Sequence, residues 1–286
     1  MPAAPRTACS DGAEDIAVQN FWTELRRTTQ ARIGLGRMGD TLATAEVLAL
    51  RAAHAAARDA VHHPLEVVGF AAALAAVGLG KPFHVRSRAA DRSEYLRRPD
   101  LGRLLGEPLD PISYPAVEQD FSAAAKVGAD IGFVLADGLS PRALADHGVP
   151  MLAALVAALG QRYTLAPPVI ATQARVALGD HIGAALGVST VLVLIGERPG
   201  LSVVDSLGIY LTHLPRPGRA DSERNCISNI HPPDGLGYER AAQVAVGLIN
   251  GARRLGRSGV DLKDTSGSSS LNSADGLVLE ASDSDR

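Results

Sequence analysis

The chain predicts an α/β protein, with a mostly parallel sheet flanked by helices and a smaller helical region ahead of it. Three observations carry this. Two apolar runs, IGFVLA at Ile131–Ala136 and VLVLI at 191–195, are continuous and of strand length, the pattern of strands buried on both faces. Segments of helical period separate them, and each run ends in a turn rich in glycine, Asp137-Gly138-Leu139-Ser140-Pro141 after the first and Gly196-Glu197-Arg198-Pro199-Gly200 after the second.

In order along the chain, residues 1–14 are small, polar and proline-containing, and read as a disordered arm. Residues 15–30 have an amphipathic helical pattern with Ile16, Phe21, Trp22 and Leu25 on the apolar side. A long alanine-rich helix is expected at 41–62, with an apolar stripe of Leu42, Ala45, Ala49, Ala52 and Ala56. Its other face lines up Arg51, His54, Arg58 and His62, which reads as a basic stripe rather than a metal site because only Asp59 is near to complete a ligand set. Residues 65–79 form another apolar helix, and 83–88 alternate like a strand. The dense charge of 91–100 (DRSEYLRRPD) marks an interface candidate. Pro108, Pro111 and Pro115 punctuate a connector, which places a domain boundary at 107/108.

Beyond that boundary strands and helices alternate. Ser140 is a helix N-cap with Pro141 at the first helical position, so the strand at Ile131–Ala136 delivers Asp137 to a β-to-α turn, either as a ligand contact or as a turn acceptor for backbone N–H groups. A strand begins at Pro167, 174–186 turn into a helix, and further strands follow at 191–195 and 207–211, with an extended segment at 225–230. A last helix runs from 238 to 255. This succession implies a Rossmann-like sheet in a domain spanning 108–258, preceded by a mainly helical domain at 15–107. From Gly259 the chain is Ser/Gly/Asp-rich and is expected to be a disordered tail.

Composition narrows the partners. A formal net charge of -3 gives no bulk electrostatic drive toward nucleic acid or an anionic membrane surface. Cys9 and Cys226 are the two cysteines, and pairing them would tie the arm to the sheet region, so both read as free thiols of an intracellular protein. No secretory leader pattern is present, and no apolar run of membrane-crossing length escapes a charge or a Gly/Pro break.

Gly34-Leu35-Gly36-Arg37-Met38-Gly39 matches the G-x-G-x-x-G fingerprint of dinucleotide sites. The fingerprint works only where a strand delivers the glycines to a helix N-terminus; here a helical pattern precedes them, and Asp59, the acid about twenty residues on, falls inside a helix. The segment therefore reads as a loop between helices, with a nicotinamide-dependent oxidoreductase using Gly34, Gly36 and Gly39 as the alternative. The stretch 190–230 is the stronger site candidate, since an acid and a base in a turn at a strand's carboxyl end sit where open α/β sheets bind ligands. Glu197 either contacts a ligand or pairs with Arg198 or Arg219. Cys226 is either a small buried apolar group or a soft ligand contact; a nucleophile would need a base, and His213 and His231 are the nearest histidines in sequence.

The blocks ARIGLGRMGDTLATAEVLALRAAHAAARDAVH, SRAADRSEYLRRPDLGR, FVLADGLSPRAL, ARVALGDHIG, LIGERPGLSVVDSLGIYLT and GRADSERNCISNI, in this order, resemble the small subunit of ethanolamine ammonia-lyase over about residues 21–255. The resemblance implies an adenosylcobalamin-dependent enzyme that converts ethanolamine to acetaldehyde and ammonia by a radical route. It implies a hetero-oligomer in which cobalamin lies between this chain and a large catalytic subunit, and it puts no catalytic residue on this chain. The family's cobalamin contacts fall on Val176 in ARVALGD, Glu197 in IGERPG and Cys226 in NCISNI. A cytoplasmic location follows, or a bacterial microcompartment, although the arm that would address it there is short and polar. A structural subunit without ligand contact is the remaining alternative.

Overall fold

The computed structural model describes residues 11–37, 39–107 and 128–264. It is α/β, with seven α-helices among the described residues and a six-stranded sheet. The strands are β1 (Phe83–Arg86), β2 (Ile131–Ala136), β3 (Val169–Thr172), β4 (Thr190–Gly196), β5 (Leu207–His213) and β6 (Asn225–Ile230), arranged in the order β1-β3-β2-β4-β5-β6. The helices are α1 (Asp11–Arg26), α2 (Thr44–His62), α3 (Val67–Ala75), α4 (Arg92–Arg97), α5 (Pro141–Leu159), α6 (Leu178–Leu186) and α7 (Tyr238–Leu255).

The sheet is mixed, so the expected mostly parallel arrangement holds for four of the six strands and a Rossmann-like sheet is not confirmed. β1, β3, β2 and β4 are parallel, but β5 runs antiparallel to β4, and β6 antiparallel to β5. The reason lies in the connections. Parallel neighbours need a crossover, usually helical, whereas residues 197–206 between β4 and β5 contain no helix and simply turn the chain back.

Side chains alternate across β4 with a period of two. Leu192 and Leu194 join Phe133 and Leu135 of β2 in a core covered by α3, α5 and α7, while Val191, Val193 and Ile195 face Leu178, Ile182 and Leu186 of α6 on the other side. Both faces of β4 are thus sealed, which is why its sequence shows no polar alternation. By length and composition α5 could cross a membrane, but Leu144, Met151, Leu152 and Leu155 are fully buried against the sheet, so its apolarity is that of a core helix.

The N-terminal segment is not a separate helical body. β1 pairs with β3 along its whole length, and Phe70 and Leu74 of α3 belong to the same core as Leu144. Arg92 adds a polar tie, donating from Nε to the Val61 carbonyl at the end of α2 (2.7 Å) and from Nη1 to the Gly138 carbonyl in the turn after β2 (2.8 Å). The proline connector expected at 108–115 lies outside the described residues.

Other expectations shift. On α2 the buried positions are Ala53 and Ala60; the predicted stripe residues Ala45, Ala49 and Ala52 are exposed, as are Arg51, His54, Arg58 and His62. Alanine carries little periodic signal, so the inward face is set by what α2 packs on rather than by its own pattern. Trp22 of α1 docks on its own chain, where a Cβ on Gly34 would meet its ring at 2.3 Å. The Gly34–Gly39 segment lies between α1 and α2, so a helix and not a strand leads into it and it lacks the setting of a dinucleotide fingerprint. Residues 259–264, expected to begin a disordered tail, pack on the body instead. The Leu262 side chain is buried in the core, and the amide of Val260 donates to the Ser222 carbonyl at 3.0 Å.

Candidate functional site

Three parallel strands end side by side and project their following residues to one rim: Asp137 after β2, Gln173 to Val176 after β3, and Glu197 after β4. A cavity of about 440 Å³ opens at this rim. Leu139, Val176 and Ile195 supply its apolar wall, and Arg175, Glu197 and Arg198 its charged one. Tyr95 from α4 and Tyr210 from β5 complete the lining. This is the position at which open α/β sheets bind ligands.

Asp137 shapes the rim without facing the ligand space. It is buried, and its two carboxylate oxygens accept from the backbone amides of Gln173 (2.8 Å) and Ala174 (3.0 Å). Gln173 has φ of +54°, a left-handed conformation that non-glycine residues seldom adopt, so the Asp137 bond holds a turn that would otherwise relax. Arg92 stands 3.8 Å from Asp137 and balances the buried charge. Of the two roles open to Asp137 from the sequence, the structure supports the turn acceptor.

The next residue but one, Arg175, is locked from behind. Its guanidinium lies over the Tyr95 ring, 4.4 Å from the centroid, and its amide donates to the Gly102 carbonyl at 2.8 Å. The Tyr95 hydroxyl donates to the Ala174 carbonyl at 3.1 Å, and burial pushes its pKa well above the ordinary phenol value. Tyr95 therefore stays a neutral donor. Its place in the charged 91–100 run hid it: the reading of that run as a contact surface missed that Arg92 and Tyr95 turn inward.

Glu197 is partly buried and oriented by neutral donors. Oε2 accepts from the Ser206 hydroxyl at 2.6 Å and from the Asn229 amide at 3.4 Å, while the Glu197 amide donates to the Ser206 carbonyl at 2.9 Å. Among the described residues it makes no ion pair. Arg219 is engaged with Glu223 and with the carbonyls of His213 and Leu214, and Arg198 is exposed. The ion-pair alternative for Glu197 is thereby overturned.

Cys226 sits one strand further along. It is directly opposite Tyr210 in the β5–β6 register, which sets its thiol beside the Tyr210 hydroxyl. Partial burial pushes the Tyr210 hydroxyl up to about 12, with the neighbouring Cys226 and Glu197 adding to the shift. Partial enclosure also pushes the Cys226 thiol up; Tyr210 opposes the shift and Glu197 reinforces it. The residue as a whole is exposed and its thiol pKa is raised, so it is neither a buried apolar group nor an activated nucleophile. Ahead of it, Arg224 is buried against Asp180 of α6 and also pairs with Asp221 at 2.9 Å, which clamps the start of β6 to the sheet.

The structure thus brings Val176 and Glu197 onto one cavity and sets Cys226 opposite Tyr210 of its lining in the β5–β6 register. Arg175, Tyr95, Tyr210 and Ser206 are the site residues that sequence reasoning did not single out. Arg175 adjoins Val176 in its motif, which was the one signal available for it.

Comparison with known proteins decides the family. The family model described as ethanolamine ammonia-lyase light chain (EutC) matches residues 19–263. The ethanolamine ammonia-lyase small subunit of Rhodococcus erythropolis is 62% identical over 268 residues, 93% of this chain and 99% of the relative. The chain belongs to the ethanolamine ammonia-lyase light-chain family. The small subunits of Ralstonia nicotianae (46% identical over 255 residues; 89% of this chain, 92% of the relative) and Pseudomonas syringae pv. tomato (44% over 274 residues; 96% and 92%) agree. The light-chain match takes in every cavity residue from Tyr95 to Tyr210, together with Cys226. It also extends to residue 263, in keeping with the packed segment 259–264 rather than with a tail that starts at Gly259.

Proposed function

We propose that this chain is the small subunit of an adenosylcobalamin-dependent ethanolamine ammonia-lyase, and that Val176, Glu197 and Cys226 hold the cobalamin at the interface with a large catalytic subunit. The observation that carries the reading is the convergence of Val176, from the turn after β3, and Glu197, from the end of β4, on one cavity, with Cys226 paired in strand register with Tyr210 of its wall.

The residues present fit such a cofactor. The cavity is open, and at about 440 Å³ it suits part of a corrinoid, a ligand too large to be enclosed by one chain, and leaves the rest to a second surface. Val176 and Ile195 provide apolar contact, Glu197 an acceptor for amide or hydroxyl groups, and Cys226 a neutral sulfur. When bound, the cofactor supplies cobalt–carbon homolysis and hence a 5'-deoxyadenosyl radical. This chain's residues bind and orient the cofactor and help exclude water from the interface, while substrate contacts belong to the large subunit. The cytoplasm, or a microcompartment within it, is the compartment that goes with this role.

The test is equilibrium binding of adenosylcobalamin to the chain assembled with its large subunit, followed by the corrinoid absorbance. Glu197→Ala and Cys226→Ala are each expected to weaken binding, with the larger effect, about tenfold or more, at Glu197 because a charge-assisted hydrogen bond is lost. Unchanged affinity in both variants makes the assignment wrong and leaves a purely structural subunit.

A further inference from the structure

The cavity contains a cation, Arg175, with no counter-ion among the described residues. Among the described residues no carboxylate lies within 4 Å of the Arg175 guanidinium; its one side-chain hydrogen bond, Nη2 to the Tyr95 carbonyl, is long at 3.4 Å, and its buried Nε has no acceptor at all. The neighbouring acids are committed elsewhere. Asp137 is taken up by Gln173, Ala174 and Arg92, and Glu197 by Ser206 and Asn229. A second arginine, Arg198, lines the same cavity and is exposed. A partly buried guanidinium, pre-oriented on an aromatic face and left unneutralised, is a site that lacks its anion.

We propose that Arg175 receives the phosphodiester of the cobalamin nucleotide loop, so that this chain distinguishes corrinoids carrying that phosphate from those without it. The proposal rests on the cobalamin reading above. Its chemistry is selective because the rest of the corrin periphery is amide and methyl; the phosphodiester is the one peripheral group with a full negative charge, and planar guanidinium donors match its oxygens. Tyr95 makes the match more specific. Its ring fixes the guanidinium plane at 4.4 Å, and Gly102 lets the arginine stem lie close, since a Cβ there would stand 2.8 Å from Arg175 Cγ. Arg175 then serves as a specificity residue, with Tyr95 as its positioning residue.

The experiment uses the chain assembled with its large subunit and measures equilibrium affinity, by absorbance, for three corrinoids: adenosylcobalamin, adenosylcobinamide phosphate and adenosylcobinamide. The native assembly is expected to bind the two phosphate-bearing corrinoids about 10- to 100-fold more tightly than the one without. Arg175→Met keeps the stem and stacking bulk, and should reduce that step to within about threefold, with Arg175→Lys intermediate. Circular dichroism and thermal unfolding of each variant check that the fold is retained. An Arg175→Met variant that keeps the step, or that weakens all three corrinoids alike, overturns the proposal. If Glu197→Ala weakens all three corrinoids while the step survives Arg175→Met, the cobalamin reading stands and only the Arg175 role fails; if no corrinoid binds the native assembly, both fail.

Discussion

Gly138 and Gly196 meet backbone to backbone: a Cβ on Gly138 would lie 2.3 Å from the Gly196 carbonyl oxygen, and one on Gly196 would lie 2.0 Å from that of Ser140. The turn after β2 and the end of β4 are pressed together here, with the Leu139 amide donating to the Gly196 carbonyl at 2.9 Å. This contact seats Leu139 and Glu197 on the same cavity. Neither side can yield as a flexible side chain would. Gly196→Ala should therefore cost about 1–3 kcal/mol in urea unfolding, the usual cost of overpacking. A fully stable Gly196→Ala protein would show that the two turns can separate.

Asp137 holds two amides and faces Arg92 from a buried position. Removing the carboxylate leaves both amides without their acceptor and the half-buried Arg92 guanidinium without its counter-ion. Asp137→Ala should lose about 3–5 kcal/mol of stability. Asp137→Asn keeps an acceptor and should lose less, about 1–3 kcal/mol. Equal losses in the two variants, read from denaturant midpoints at constant slope, would contradict the charge-balancing role.

His84 links stability to pH. It is buried on β1 with Nε2 3.1 Å from the Thr172 hydroxyl, and burial, with Arg86 adding to it, lowers its pKa to about 4 from the ordinary 6.5. The folded state then binds fewer protons than the unfolded chain between these values. The contribution is complete above pH 6.5 and is lost as pH falls toward 4, for a total of about 3 kcal/mol. His84→Gln should flatten this part of the pH–stability curve, and an identical slope in both proteins between pH 6.5 and 4 would contradict the assignment.

The raised pKa of Cys226 makes a kinetic prediction. In a Cys9→Ser background, leaving Cys226 as the remaining cysteine, alkylation by iodoacetamide at pH 8 should run slower than that of free cysteine. Its rate should still be climbing with pH where a free thiol levels off. Rapid alkylation at pH 6–7 would mean an activated thiolate and a different role for this residue.

Much of this protein was legible one segment at a time. Apolar runs marked β2 and β4 because both of their faces are buried, and Ser140 with Pro141 marked the start of α5, where the Ser140 hydroxyl accepts from the Ala143 amide at 3.2 Å. The long blocks around Val176, Glu197 and Cys226 carried the family resemblance. The inward face of α2 was not legible, because alanine on every side leaves no contrast in hydrophobicity.

The sequence by itself determined the α/β class, the Ser140 cap of α5 and the family, all of which are written in residues near one another. Only the tertiary structure decided the direction of β5 and β6, the turn role of Asp137, and the meeting of Tyr95, Arg175 and Glu197 around one cavity. Those depend on which strands pair and which buried groups find partners. Tyr95 and Arg175 are 80 residues apart, and nothing in either local pattern shows that the guanidinium will stack on that ring.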